Sequence, residues 1–276
     1  MIVKVGIIGH TGRLGKPLVE MLQKHPFVDI VYTQSRKEGS NGNLNDAEIV
    51  FLALPRGKSY QYLPLMQGKR IIDLSSDHRM VDDWVYGLSE LNKDAIKKAD
   101  RIANPGCFPT SIILGLAPIA SYISNVCIAC TNGVSGTGLK VQQEDNFFVF
   151  REGRNHRHIT EIEWALHINN ILFVPQRIDT AYRGIVSIIF ADYSGPKDVA
   201  ALYTHFYKKM PFVRIMNEYI NTKEVNKTNY CHIRPIIHSN KVIIISAIDN
   251  LYKGGSGQAV QNFNIMYNFD ETTGLW

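Results

Sequence analysis

The chain has 276 residues, enough to bury a substantial core as one large domain or two of ordinary size, and two is the expectation. Its 45% hydrophobic and 20% charged content is that of a soluble protein, and the formal charge of +5 is scattered without a Lys/Arg block; that speaks against nucleic acid and suits small anionic substrates. Four cysteines are too few to staple a chain of this length, no apolar run approaches a membrane span, and Met1 leads straight into strand-like sequence, so a reducing cytoplasm is expected.

Val3 to Gly9 reads as a buried strand, followed by Gly9-His10-Thr11-Gly12-Arg13-Leu14-Gly15 and an amphipathic helix to Lys24. Glycines there allow a tight turn and close approach of a pyrophosphate, and the helix start supplies N–H donors and positive dipole. The spacing is GxxGxxG, not GxGxxG, so the weight rests on its place after the first strand; a plain turn is the alternative. Gly9, Thr11, Gly12, Arg13 and Leu14 are the candidate cofactor contacts. A second strand, Asp29 to Thr33, runs into Gln34-Ser35-Arg36. An NAD enzyme places a carboxylate near this point for the ribose 2′-OH, whereas here a hydroxyl and a guanidinium follow, which favours NADP, with Arg36 on the 2′-phosphate. A solvated surface arginine is the other reading.

Asp46 to Pro55 reads as a third parallel strand ending in Leu54-Pro55, Ser59 to Met66 as a short helix, and Lys69 to Leu74 as a fourth strand. Strand C-termini in an open α/β sheet face the ligand crevice, so Ser75-Ser76-Asp77-His78-Arg79 suits an anionic substrate, or equally a capping box or a loop salt bridge. A fifth strand, Arg101 to Asn104, leads into Asn104-Pro105-Gly106-Cys107-Phe108-Pro109-Thr110 and an apolar helix over Ser111 to Ile119. That places Cys107 at a helix N-terminus, where unpaired N–H groups and the dipole favour a thiolate nucleophile. Gly106 lets the backbone turn before the sulfur, and Pro109 fits the first helical turn. A buried cysteine beside a tight turn is the alternative.

Beyond Cys107 the pattern changes. Val126 to Thr131 is strand-like and contains Cys127-x-x-Cys130; residues three apart on a strand face opposite ways, so the thiols should not meet, and redox or metal roles are disfavoured. Gly133 to Lys140 is a glycine-rich loop ending in a cation, able to border a cofactor through Ser135 and Gly136 and a phosphate through Lys140, or to serve as a linker. His156-Arg157-His158 precedes a helix that points Ile162, Ala165 and Leu166 at a core. Beside a nucleophilic thiol this pair is the best base available, with Glu161 able to orient it. No third ligand supports a metal. Strands near Ile171 to Val174, Ile185 to Asp192, Val213 to Met216 and Val242 to Ser246 surround a helix over Lys197 to Lys209, which is α+β sequence and supports a second domain. A final helix running to Asn268 opens in Asp249-Asn250-Leu251 and a glycine-rich turn.

Together Asn-Pro-Gly-Cys107, Gly9-x-x-Gly12-x-x-Gly15, Ser35-Arg36, Leu52-Ala53-Leu54-Pro55, Asp73-Leu74-Ser75-Ser76-Asp77-His78-Arg79, Tyr86-Gly87-Leu88-Ser89-Glu90-Leu91, His156-Arg157-His158 and Asp249-Asn250-Leu251 resemble the N-acetyl-gamma-glutamyl-phosphate reductase family of the aspartate-semialdehyde dehydrogenase superfamily. The resemblance implies an α/β architecture: a Rossmann-type NADP domain, 1–106 with 254–276, and an α+β catalytic and oligomerisation domain, 107–253, the last helix returning to the first domain. It implies NADPH-dependent reduction of an acyl phosphate to its semialdehyde through a Cys107 thioester in arginine biosynthesis. His156 is then the acid/base with Glu161 beside it, and His158 the substitute. Ser35, Arg36, Leu54, Pro55, Ser135, Gly136 and Asn250 join the glycine loop at NADP(H); Arg79, Asn104, Lys140 and His158 meet the substrate. A cytoplasmic homodimer or homotetramer follows, with no metal, nucleic acid or membrane. Alternatives are the same chemistry on carrier-bound 2-aminoadipyl phosphate or on aspartyl phosphate, and a catalytically silent NADP-binding protein. Three departures stand out: a short segment between Arg36 and Asp46, Ser89 and Thr160 in place of proline, and Gln176-Arg177 where the family carries histidine.

Overall fold

The computed structural model describes residues 1–136 and 146–275. Two compact units emerge: Met1–Pro105 with the chain from Gly255 onward, and Gly106–Gly254. In the first, β1 (Val3–Ile8), α1 (Gly15–Gln23), β2 (Val28–Ser35), β3 (Gly39–Gly42), β4 (Ile49–Leu52), β5 (Arg70–Asp73), β6 (Val85–Tyr86), α2 (Ser89–Lys98) and β7 (Arg101–Ala103) follow in order. They form one sheet, β3-β2-β1-β4-β5-β7-β6, parallel throughout except for β3. The central strands are covered on both faces, which is why β4 is an unbroken apolar run with all four residues buried. Helix α1 contributes Leu18, Met21 and Leu22 to that core. Strand β3, Gly39-Ser40-Asn41-Gly42, is exposed throughout and is absent from the sequence expectation, because it has no apolar side chain to signal it.

In the second unit come α3 (Cys107–Leu116), β8 (Ile123–Gly133), β9 (Phe147–Val149), α4 (His158–Leu166), β10 (Leu172–Ile178), β11 (Ile185–Tyr193), α5 (Val199–Phe206), β12 (Val213–Ile215), α6 (Thr222–Val225), β13 (Cys231–His238) and β14 (Lys241–Ile248). Their sheet is mixed, β12-β13-β14-β11-β8-β10-β9. Strand β11 alternates: Ile185, Ser187, Ile189 and Ala191 point inward, whereas Ile188 and Phe190 are exposed on the outer face. Helix α3 lies on the inner face, Gly115 against Ile189 and Ile244, so that its glycine admits the close approach. Tyr207, the residue after α5, donates to the Leu114 carbonyl at 2.5 Å, and Tyr203 of α5 donates to that of Gly115. The thiols of Cys127 and Cys130 face opposite ways as the strand period requires: Cys127 is exposed and Cys130 buried.

The last helix, α7 (Gly257–Met266), returns to the first unit and packs on α2 and α1. All ten of its residues are buried although Gln258, Gln261, Asn262 and Asn264 are polar. Most of their amide atoms are paired: Gln258 Nε2 donates to Ser89 Oγ, Asn262 to the Gly87 carbonyl, and Asn264 Oδ1 meets His25 Nε2 at 2.8 Å, while Gln258 Oε1 is buried without a partner among the described residues. Among the described residues no helix is long and apolar enough to cross a membrane.

Candidate active site

The β1–α1 connection is built by glycine. Gly9 has φ +92, and a Cβ there would lie 2.3 Å from the Ala53 carbonyl oxygen. A Cβ on Gly15 would meet the Gly9 oxygen at 2.1 Å. These positions let the loop fold onto the end of β4 and start α1 at once, with no acidic residue in its first turn. Leu14 is the residue before α1, and Arg13 is exposed. The N–H groups of Gly9 and His10 both donate to the Gln34 carbonyl, which fixes the loop beside the end of β2. Ser35 is buried there and Arg36 exposed beyond it. Glycine packing too tight for side chains, beside an uncompensated helix start, fits a dinucleotide pyrophosphate. His10 and Glu38, which sequence reasoning passed over, meet at this end: His10 Nε2 lies 3.0 Å from Glu38 Oε2.

At the C-termini of β4 and β5, residues 75–79 form a hydrogen-bonded turn. Asp73, fully buried, accepts from Ser75 N–H and Oγ, both at 2.8 Å, and from His78 Nδ1 at 2.6 Å. His78 stacks on Trp84 with ring centroids 4.1 Å apart. Asp77 accepts from the N–H of Gly57 at 2.7 Å and from the hydroxyl of Ser59 at 2.6 Å. Burial alone would raise the Asp77 pKa, but the Ser59 hydroxyl, the N–H groups of Gly57 and Ser59, and His78 outweigh it and hold the carboxyl below its usual range. This cluster organises the turn after Leu54 and Pro55, the first half-buried and the second exposed. Arg79 is buried, and its Nε donates to the Asn104 carbonyl at 2.9 Å. The Asn104 amide is engaged as well: Nδ2 donates to Gly255 O at 3.0 Å and Oδ1 accepts from Asn262 at 3.1 Å. These bonds fix the Asn104 side chain three residues before Cys107.

Cys107 is the first residue of α3, with Gly106 as cap. The Gly106 N–H is held by Glu161 Oε1 of α4 at 2.8 Å, and the first helical bond runs from Thr110 N to Gly106 O. So Glu161, 3% exposed, fixes the backbone just before Cys107. Phe108, the next residue, packs edge-on against His156, His158 and Phe173, with centroids 5.7, 5.8 and 5.4 Å away. The two imidazoles meet at 4.7 Å. His156 Nδ1 accepts from the His158 backbone N–H at 3.2 Å, so the neutral ring carries its hydrogen on Nε2. Burial, then Arg157 and Arg151, lower the His156 pKa to about 4. Below the first turn, Ser111 Oγ bridges Ser187 at 2.8 Å and Ser246 at 3.1 Å, and these reach Cys130 and Cys231 at 3.0 and 3.4 Å. Burial pushes the Cys130 thiol far above its ordinary range.

Asn250 is buried, accepts from Gly184 N–H at 2.8 Å and donates to Ser135 Oγ at 2.9 Å; Gly136 sits against the Asn132 amide. These contacts tie β8, β11 and the end of β14 together. Lys140 lies outside the described residues. Arg177, on β10, is buried beside Asp179 and over the Phe148 ring. Among the described residues no three metal-ligating side chains cluster.

Residues 107–250 match the family model described as semialdehyde dehydrogenase, dimerisation domain, and residues 40–99 match semialdehyde dehydrogenase, NAD binding domain. In fold the chain is similar to aspartate semialdehyde dehydrogenase II from Vibrio cholerae, with a TM-score of 0.81 at 17% identity, covering 97% of this chain and 99% of that one. In sequence it is 36% identical over 340 positions to N-acetyl-gamma-glutamyl-phosphate reductase of Desulforudis audaxviator (strain MP104C), covering 99% of this chain and 98% of the relative. It is 35% identical over 333 positions to that of Methanosphaera stadtmanae, covering 99% and 97%. Both alignments are longer than the 276 residues here, so each relative has segments that this chain lacks. At that identity over nearly the whole of both partners, the chain belongs to the N-acetyl-gamma-glutamyl-phosphate reductase family of semialdehyde dehydrogenases.

Proposed function

We propose that the chain reduces N-acetyl-gamma-glutamyl phosphate to its semialdehyde with NADPH, as a step of arginine biosynthesis. The observation that carries this reading is a thiol at the first position of α3, its backbone clamped by Glu161 and its neighbour Phe108 packed on a histidine pair. The names of the relatives favour the N-acetylglutamyl group over aminoadipyl or aspartyl groups.

The Cys107 thiolate attacks the acyl carbon, a C–S bond forms, the C–O bond to phosphate breaks, and phosphate departs. N–H groups at the start of α3 face the developing oxyanion. A nicotinamide held by the glycine loop would supply the hydride for reduction of the thioester. His156 is neutral at pH 7 and carries its hydrogen on Nε2, so it acts as a hydrogen-bond donor to the substrate oxygen. His158 then exchanges the proton as the C–S bond breaks, the aldehyde leaves and the thiolate is restored. The two histidines thus trade the roles that sequence reasoning gives them. Arg79, whose Nε donates to the Asn104 carbonyl, is read as a cation for the anionic acyl phosphate. Gly9, Thr11, Gly12, Arg13 and Leu14 bind the pyrophosphate, and Ser35 with Arg36 takes the 2′-phosphate that distinguishes NADP. The outer face of β11, β8 and β10, with Ile188, Phe190 and Leu172 exposed, is the surface by which two copies associate, in line with the dimerisation-domain match.

The test is phosphate-dependent reduction of NADP with a panel of semialdehydes. N-acetylglutamate semialdehyde should be turned over and Cys107→Ser should be inactive; activity with aspartate semialdehyde alone rejects the assignment.

A further inference from the structure

The turn between β2 and β3 carries a carboxylate back to the nucleotide loop. Strand β2 ends at Ser35, which pairs with Gly39 of β3, so residues 36–38 close a tight hairpin. Ser35 Oγ accepts the Glu38 N–H at 3.0 Å, and Gly39 follows at φ +74. The turn folds Glu38 back until its Oε2 stands 3.0 Å from Nε2 of His10, the residue between Gly9 and Thr11. A carboxylate only accepts, so His10 Nε2 is the donor. Its other ring nitrogen, Nδ1, is buried with no hydrogen-bond partner among the described residues. The two backbone bonds from Gly9 and His10 to the Gln34 carbonyl set this pair at the end of β2, the side of a doubly wound sheet where the adenosine ribose lies.

Sequence order hides this. A carboxylate for the ribose 2′-OH is ordinarily sought at the end of the second strand, where this chain has Ser35 and Arg36. The hairpin delivers the carboxylate from three residues further on. Two opposed groups therefore share one place: Arg36 attracts a 2′-phosphate, and Glu38 repels it while accepting from a 2′-hydroxyl.

Resting on the nicotinamide reading above, we propose that Glu38, held by Ser35 and His10, is a specificity-determining residue for the coenzyme that brings NADH within use beside NADPH. With the unphosphorylated ribose, Glu38 keeps its bond to His10 and accepts the 2′-hydroxyl. With the phosphorylated ribose, the phosphate displaces Glu38 and becomes the acceptor for His10.

The test is direct binding to the full chain, followed by quenching of protein fluorescence on titration with NADPH and with NADH, for the parent and for Glu38→Gln. The parent should bind both. Glu38→Gln should bind NADPH about tenfold more tightly and NADH more weakly, because one repulsive charge at ribose distance has gone. Glu38→Asp, which keeps the charge, should retain the parent's preference. Glu38 is 57% exposed, so melting of the coenzyme-free variants should match the parent. Equal shifts for both coenzymes, or none, overturn the inference while leaving the nucleotide site intact. A parent that binds neither coenzyme overturns the site itself.

Discussion

His156 shows how a residue type can be legible and its state hidden. The sequence offers two histidines two positions apart, and only the resemblance ranks His156 ahead of His158. Burial, Arg157 and Arg151 lower the His156 pKa from 6.5 to about 4, and the His158 N–H occupies Nδ1. In the unfolded chain the ring charges below 6.5, and in the folded chain only near 4. The stabilising difference is therefore full above pH 6.5 and is lost as pH falls toward 4. His156→Gln should lose less stability than the parent across that window, read as the midpoint of urea unfolding at each pH. Gln keeps an N–H donor, so it should also retain more kcat than His156→Ala. Equal loss in the two variants would show that donation at this position does no work. Asn104 shows what sequence order hides: its amide bonds to Asn262 and Gly255, residues more than a hundred positions away in sequence.

Two elements hold the nucleophile, and each gives a prediction. The turn after β14 brings Gly254 so close that a Cβ would stand 2.9 Å from Cys107 Cβ and 3.3 Å from the Asp249 carbonyl. Gly254→Ala should displace the sulfur and lower kcat on the order of tenfold or more with little change in coenzyme affinity, since small misplacements at a reacting centre are costly. Steady-state kinetics with coenzyme titration checks it. Beneath α3, Ser111 is the hub of a hydroxyl chain linking β11 and β14. Ser111→Ala leaves Ser187 and Ser246 with their cysteine partners only, so a loss of about 1–3 kcal/mol in urea unfolding is expected. Periodicity revealed α3, α4 and the parallel strands, because their burial is written in apolar side chains. It missed β3, which has none, and β13, where Pro235 interrupts the strand signal and Arg234 and His238 dilute it. Helix α7 was legible as a helix, but nothing in Gln258, Gln261, Asn262 and Asn264 announced that every one of them is buried.

At the scale of the molecule the division of labour was readable: βαβ alternation up to Arg101 and mixed strands after Cys107 correspond to two sheets of different kinds. The pairing across the second sheet was not, since its inner and outer faces are both apolar and sequence alone cannot say which is covered by helices. Helix α3 and α5 cover one; Ile188, Phe190 and Leu172 lie on the other. Phe190→Asp should shift the protein toward smaller species in light scattering at equal concentration, while a mass unchanged from the parent would remove this face from the assembly. Cys127 sits in that face, directly paired with Phe190 on one side and Leu172 on the other. Cys130 and Cys231 are sealed among serine hydroxyls, so a maleimide dye added to the protein should find two sulfurs of very different meaning. On the function proposed above, Cys107 would report catalysis and Cys127 would gauge self-association, its labelling slowing as the protein is concentrated and quickening on dilution.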